Sequence, residues 1–203
     1  MEIQAFLDGL VYSADDWYRS PLRVLRDKKA HCYDGAVFAA ALLHLIGYPP
    51  LIINMFPNER DDEHLVAIFR KYGAWGAVGK SNLVGLRYLE PIHRTLRELM
   101  ISYFEQYFNV AGEKTMRTYT RPLRLTAFAR SSWMTEDPAM DTIADSLERM
   151  KRHSLVTKEM IRGLAKVDPR SYEAGLKGSI PEGLFKLTSS PSVPSEDSNR
   201  YSD

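Results

Sequence analysis

At 203 residues, 44% of them hydrophobic and 26% charged, the chain has the balance of a globular protein. It is long enough to bury a core without disulfide or metal staples. A formal net charge of +1 supplies no field that would by itself draw it to nucleic acid, an acidic lipid surface or a heavily acidic substrate. The single cysteine excludes an intramolecular disulfide framework. With acids where a secretion signal carries bases, and no apolar run of ~18 residues, the expectation is a cytoplasmic protein with no membrane partner.

Ile3, Phe6, Leu7 and Leu10 recur at helical spacing and predict a helix over residues 2–11. Ser13 followed by Asp15 and Asp16 reads as the cap and acidic first turn of a second helix, interrupted near Ser20-Pro21. A basic approach, Arg26-Asp27-Lys28-Lys29, leads to Ala30-His31-Cys32-Tyr33-Asp34-Gly35 and then to an apolar run over residues 36–46. Such a run, apolar on nearly every side, predicts a helix buried at the centre of a domain, and Gly47 with Pro49-Pro50 ends it. Residues 51–56, 64–70 and 74–78 read as three strands of an antiparallel meander, with Tyr72-Gly73 turning between the last two. The polar loop over residues 57–63 delivers His64 to the head of its strand.

From Glu90 onward, with Pro91 at a first-turn position, the spacing of Leu96, Leu99, Met100, Tyr103, Phe104 and Tyr107 predicts one long amphipathic helix. Residues 116–128 look extended and basic, Asp137-Pro138 opens a helix through Met150, and a shorter helix covers residues 158–166. From residue 188 the chain is rich in Ser and Pro with almost no apolar residues, which predicts a disordered tail. Residues 1–187 are then one domain of α+β class: a buried helix packed on an antiparallel sheet, with extra helices after residue 90.

A thiol at the first turn of a buried helix sits where unpaired backbone N–H groups and the helix dipole favour its thiolate, with Lys28, Lys29 and His31 nearby in sequence. Those N–H groups could also receive the oxyanion of a tetrahedral intermediate. Cys32 is therefore the candidate nucleophile. Its base is expected from a strand farther along the chain, and His64 is so placed. Counting by two, His64, Val66 and Ile68 share one face of their strand and Leu65, Ala67 and Phe69 the other; the expectation is that the imidazole faces the central helix.

The run Cys32-Tyr33-Asp34-Gly35-Ala36-Val37-Phe38-Ala39-Ala40-Ala41-Leu42-Leu43-His44-Leu45-Ile46-Gly47-Tyr48-Pro49-Pro50, followed by His64-Leu65-Val66-Ala67-Ile68 and Trp75, resembles the transglutaminase-like branch of the papain-type cysteine enzymes. The likeness covers about residues 26–83 and has no counterpart after residue 110. It implies a papain-like core and acyl transfer from a peptide, amide or ester through a thioester, ending in hydrolysis or transfer to an amine. The family usually orients its histidine with an aspartate after the third strand, yet residues 65–135 contain no Asp. Asn82 is the first expected orienter, since an amide oxygen can hold a ring N–H, and Glu90 the second. The rival that this departure suggests is a catalytically inactive binding module of the same fold.

Gly79-Lys80-Ser81 lacks the preceding glycine of a phosphate-binding loop, because Ala74 stands at that position. No cofactor is expected, and no metal, since there is neither a second cysteine nor a His-Glu-x-x-His run. His31 and His44 read as structural. Lys114, Arg117, Arg121, Arg124 and Arg130, interleaved with Tyr119 and Phe128, form the one local basic segment. It reads as a solvated face, with nucleic-acid association as a further alternative.

Overall fold

In the computed structural model, which describes residues 2–187, the chain opens with helix α1 (Glu2–Asp8). The helix stops short of the predicted residue 11 because Val11 and Tyr12 form strand β1 (Val11–Tyr12), paired in parallel with β2 (Lys29–Ala30). Between them lies α2 (Pro21–Asp27). It starts where the sequence reading placed an interruption: Ser20 accepts from the Arg23 N–H and Pro21 occupies the first turn. Asp15 caps no helix and is bound instead by Arg19 and Lys29. The tail expected from residue 188 lies outside the described residues.

The central helix, α3 (Cys32–Leu45), is buried along most of its length, with Ala36, Val37, Ala39 and Ala40 wholly removed from solvent. Its small side chains let neighbours approach closely. A Cβ on Gly35 would stand 2.3 Å from the Lys80 Cβ, so only glycine fits that crossing. Gly47 ends the helix at φ +94, a conformation that suits a residue without a Cβ.

The predicted meander is present as β3 (Leu51–Pro57), β4 (His64–Lys71) and β5 (Ala74–Val78), all antiparallel. Tyr72 and Gly73 both take positive φ, as a two-residue hairpin turn requires. Beyond it the reading needs correction. The long helix from Glu90 does not form: residues 89–93 are β6 (Leu89–His93), added to β5, and only α4 (Leu96–Ile101) follows, capped by Thr95. Pro91 is accommodated because β6 is an edge strand, which can dispense with an N–H. The apolar spacing did identify what is buried, since Leu99, Met100, Tyr103 and Tyr107 are all inside, but a break and a 3-10 turn (Phe104–Gln106) carry the last of them.

Strands β7 (Met116–Thr120) and β8 (Leu123–Arg124) both pair with β3, but the extended reading of residues 116–128 fails over its last four residues, which belong to a 3-10 helix (Leu125–Ser131). Then come α5 (Pro138–Glu148), β9 (Arg152–Ser154), α6 (Lys158–Arg162) and α7 (Pro169–Gly175). The main sheet runs β6-β5-β4-β3-β7-β9 with every pairing antiparallel. One face packs Ile52, Leu65, Ala67 and Phe69 against α1, α3 and α5; the other packs Ile53, Met55, Val66 and Ile68 against Leu99, Met100, Tyr103 and Tyr107. Each such side chain stabilises by roughly 1.5–3 kcal/mol on burial, so the two layers hold the sheet from both sides. The class is α+β, and among the described residues no helix is long and apolar enough to cross a membrane.

Candidate functional site

The start of α3 is fixed by reciprocal hydrogen bonds. The His31 ring accepts from the Asp34 N–H at 3.4 Å, and the Asp34 carboxylate accepts from the His31 N–H at 3.3 Å. Asp34 also accepts from the Arg19 N–H at 2.8 Å and lies 3.6 Å from its guanidinium. This binds the loop of residues 13–19 to the helix end. Burial pushes the Asp34 carboxyl up to about 7 despite these donors, and burial pushes the His31 ring down to about 4.

Cys32 is the first residue of α3, half-buried at the wall of a 550 Å³ cavity. Its sulfur lies against the backbone on both sides of His64: it donates to the Glu63 carbonyl at 3.6 Å, and the Leu65 N–H favours its anion. The expected thiolate is nevertheless absent at neutral pH. Loss of solvent outweighs the N–H donors of Leu65 and Tyr33 and pushes the thiol up to about 12. Tyr12 faces the Cys32 N–H, and burial likewise raises its hydroxyl.

His64 heads β4 and lines the same cavity, but its ring takes the face opposite to the one expected. Leu65, Ala67 and Phe69 meet α3, whereas His64 goes with Val66 and Ile68: its ring stands edge-on to Tyr107 and its Nε2 lies 2.7 Å from the Leu86 carbonyl. That contact makes Nε2 the donor, and burial lowers the imidazole to about 4, so it is neutral at pH 7. Asn82 also borders the cavity but does not touch the imidazole: its Nδ2 donates to the Ile180 carbonyl and its Oδ1 accepts from the Ile180 N–H, both at 2.9 Å. Glu90 is exposed on β6, bound to the Tyr88 hydroxyl. Neither predicted orienter holds His64; the Leu86 carbonyl does.

Asn82 instead ties down the segment that follows α7, and residues 182–185 of that segment wall the cavity. Gly183 packs so closely on Tyr12 that a Cβ there would stand 2.7 Å from the ring. Lys80, from the rejected phosphate-loop motif, is structural: its Nζ donates to the Leu7 and Leu10 carbonyls at the end of α1. The basic segment is divided, with Lys114 paired to Glu105 and Arg117 donating to backbone carbonyls. Among the described residues no group of three or more His, Cys, Asp or Glu is arranged to hold a metal ion.

Two features escaped the sequence reading. Asn54 interrupts the apolar strand Leu51-Ile52-Ile53-Asn54-Met55-Phe56, and a lone amide there was a legible signal. It is 1% exposed and donates to the Glu63 carboxylate at 2.5 Å. Glu148, at the end of α5, meets Glu63 at the cavity wall, and burial together with this neighbour holds Glu63 up at about 7. No signal in the local sequence places Glu148 there. Neither the models of known protein families nor the curated proteins contain a match to this chain.

Proposed function

We propose that the protein is a thiol acyl-transfer enzyme with a papain-type, transglutaminase-like core, acting on a peptide, amide or ester in a reducing compartment such as the cytoplasm. The observation that carries this reading is the seat of the Cys32 sulfur, at the tip of a buried helix, in a substrate-sized cavity, against the strand backbone that flanks His64. Both partners rest neutral. In this reading the His64 ring leaves the Leu86 carbonyl and swings from its own face of the sheet to bring the unprotonated Nδ1 to the sulfur, taking the thiol proton as the sulfur attacks the acyl carbon. The Cys32 N–H, which faces the Tyr12 hydroxyl at rest, is released to the oxyanion, and the imidazolium returns its proton to the leaving amine or alkoxide as the thioester forms. Water or an amine then attacks the thioester.

The experiment is turnover of amide and ester acyl donors by the wild type, Cys32→Ala and His64→Ala. Cys32→Ala is expected to abolish it and His64→Ala to lower kcat/KM by roughly 100-fold or more. Because the imidazole lies near 4, the acid limb of the wild-type kcat/KM profile is expected at about pH 4, not near the 6.5 of a free histidine. The fixed contacts of His64 with Leu86 and of Asn82 with Ile180 favour a second reading, a non-catalytic binding module. Wild-type turnover no greater than that of Cys32→Ala, with alkylation of Cys32 indifferent to His64→Ala, would establish that module instead.

A further inference from the structure

We propose that Asn54, Glu63 and Glu148 form a subsite for the cationic side chain of a peptide substrate, a lysine or arginine adjacent to the acyl group presented to Cys32. The inference rests on the Cys32 cavity being the substrate cavity, as above, but not on the thiol being reactive.

The first observation is an unmet acceptor. Asn54 is almost fully buried on the cavity wall; its Nδ2 is used by Glu63, and its Oδ1 has no hydrogen-bond partner among the described residues. A buried carbonyl oxygen left unpaired is unfavourable, and a donor entering the cavity relieves it. The second is the sign of the walls. Seven Asp and Glu residues line the cavity, and among the described residues no Lys or Arg does. His31 and His64 also line it, both neutral at pH 7.

These point to one chemistry. Asn54 Oδ1 and the carboxyls of Glu63 and Glu148 are acceptors grouped in one place, and an ammonium or guanidinium offers three or five N–H donors and a positive charge. Arg152 is the charge nearest the group. It binds Glu148 at 2.8 Å and lies over the Phe56 ring, and its charge also reaches Glu63, but among the described residues no Lys or Arg is ion-paired with Glu63. Burial and the neighbouring Glu148 hold the Glu63 carboxyl up at about 7, and an arriving cation draws it back down, releasing its proton. The subsite lies beside the thiol, since the Glu63 carbonyl accepts from the Cys32 sulfur.

The test uses the full chain carrying Cys32→Ala, so that binding is read without chemistry. Acetyl-Ala-Lys-Ala-amide, its arginine counterpart and its norleucine counterpart are titrated calorimetrically. The lysine and arginine peptides are expected to bind at least about tenfold tighter than the norleucine peptide, with proton release at pH 7. Adding Glu148→Gln, on an exposed helix end where folding is not at risk, is expected to reduce that preference below about threefold; Glu63→Gln should do the same. Equal affinity for the three peptides, binding of none, or a preference unchanged in both glutamine variants would overturn the proposal. Turnover by the wild type without cation preference sinks this inference alone, and cation preference without turnover sinks only the acyl-transfer reading.

Discussion

Asp34 has no exposed surface and is held by Arg19, itself almost wholly buried, and this pair joins the loop of residues 13–19 to the start of α3. Removing one member of a buried pair leaves the other charge without compensation. Arg19→Met is therefore expected to destabilise the fold by about 3 kcal/mol in urea unfolding at pH 8, and by less at pH 5, where Asp34, already held near 7, can take up a proton. At this scale the sequence located Cys32 and the strand head that meets it. The alternation of β4 grouped His64 correctly with Val66 and Ile68, yet a period of two cannot say which of two apolar faces meets the helix. The tyrosines of residues 103–107, packed on the far face, decided that.

Helix α3 and the strand-to-loop segment at Lys80 cross so closely that Gly35→Ala must push apart two backbone segments, not a flexible side-chain end. A loss of about 1–3 kcal/mol is expected, read as a lower thermal midpoint. The segment after α7 is held differently, by the paired hydrogen bonds between Asn82 and the backbone of Ile180. Asn82→Ala removes both. Amide exchange over residues 180–185 is expected to speed up roughly tenfold while the exchange of β4 stays unchanged; equal protection in the two proteins would deny Asn82 this holding role. Helix α3 and the β3-β4-β5 meander were legible because each is bounded by strong local signals, glycine and proline after the helix and Tyr72-Gly73 in the hairpin. The helix expected from Glu90 failed because local spacing cannot register that residues 89–93 find a strand partner in β5.

Across the molecule, opposing ionisations set the pH dependence of stability. Asp34, Asp61 and Glu63 are raised to about 7, about 6 and about 7, so the folded state holds protons that the unfolded state has lost, and stability falls as pH rises from near 4 to near 7. His31 and His64 are lowered to about 4, so the unfolded state binds the extra protons and stability rises with pH over the window from 4 to 6.5. The two trends largely offset one another below pH 6.5, and only the acid trend remains above it. The thermal midpoint is expected to be lower at pH 8 than at pH 6, with Glu63→Gln removing part of that drop; a midpoint that rises from pH 6 to pH 8 would contradict these ionisations. By itself the sequence determined the α+β class, the buried helix with its thiol at the tip, and the sheet order of the meander, because each follows from periodicity and chain-breaking residues within a few positions. Only the tertiary structure decided the face taken by His64, the partners of Asn82, and the meeting of Asn54, Glu63 and Glu148. These depend on segments up to about a hundred residues apart being desolvated together, and burial, not sequence neighbours, governs the charge each of these groups carries.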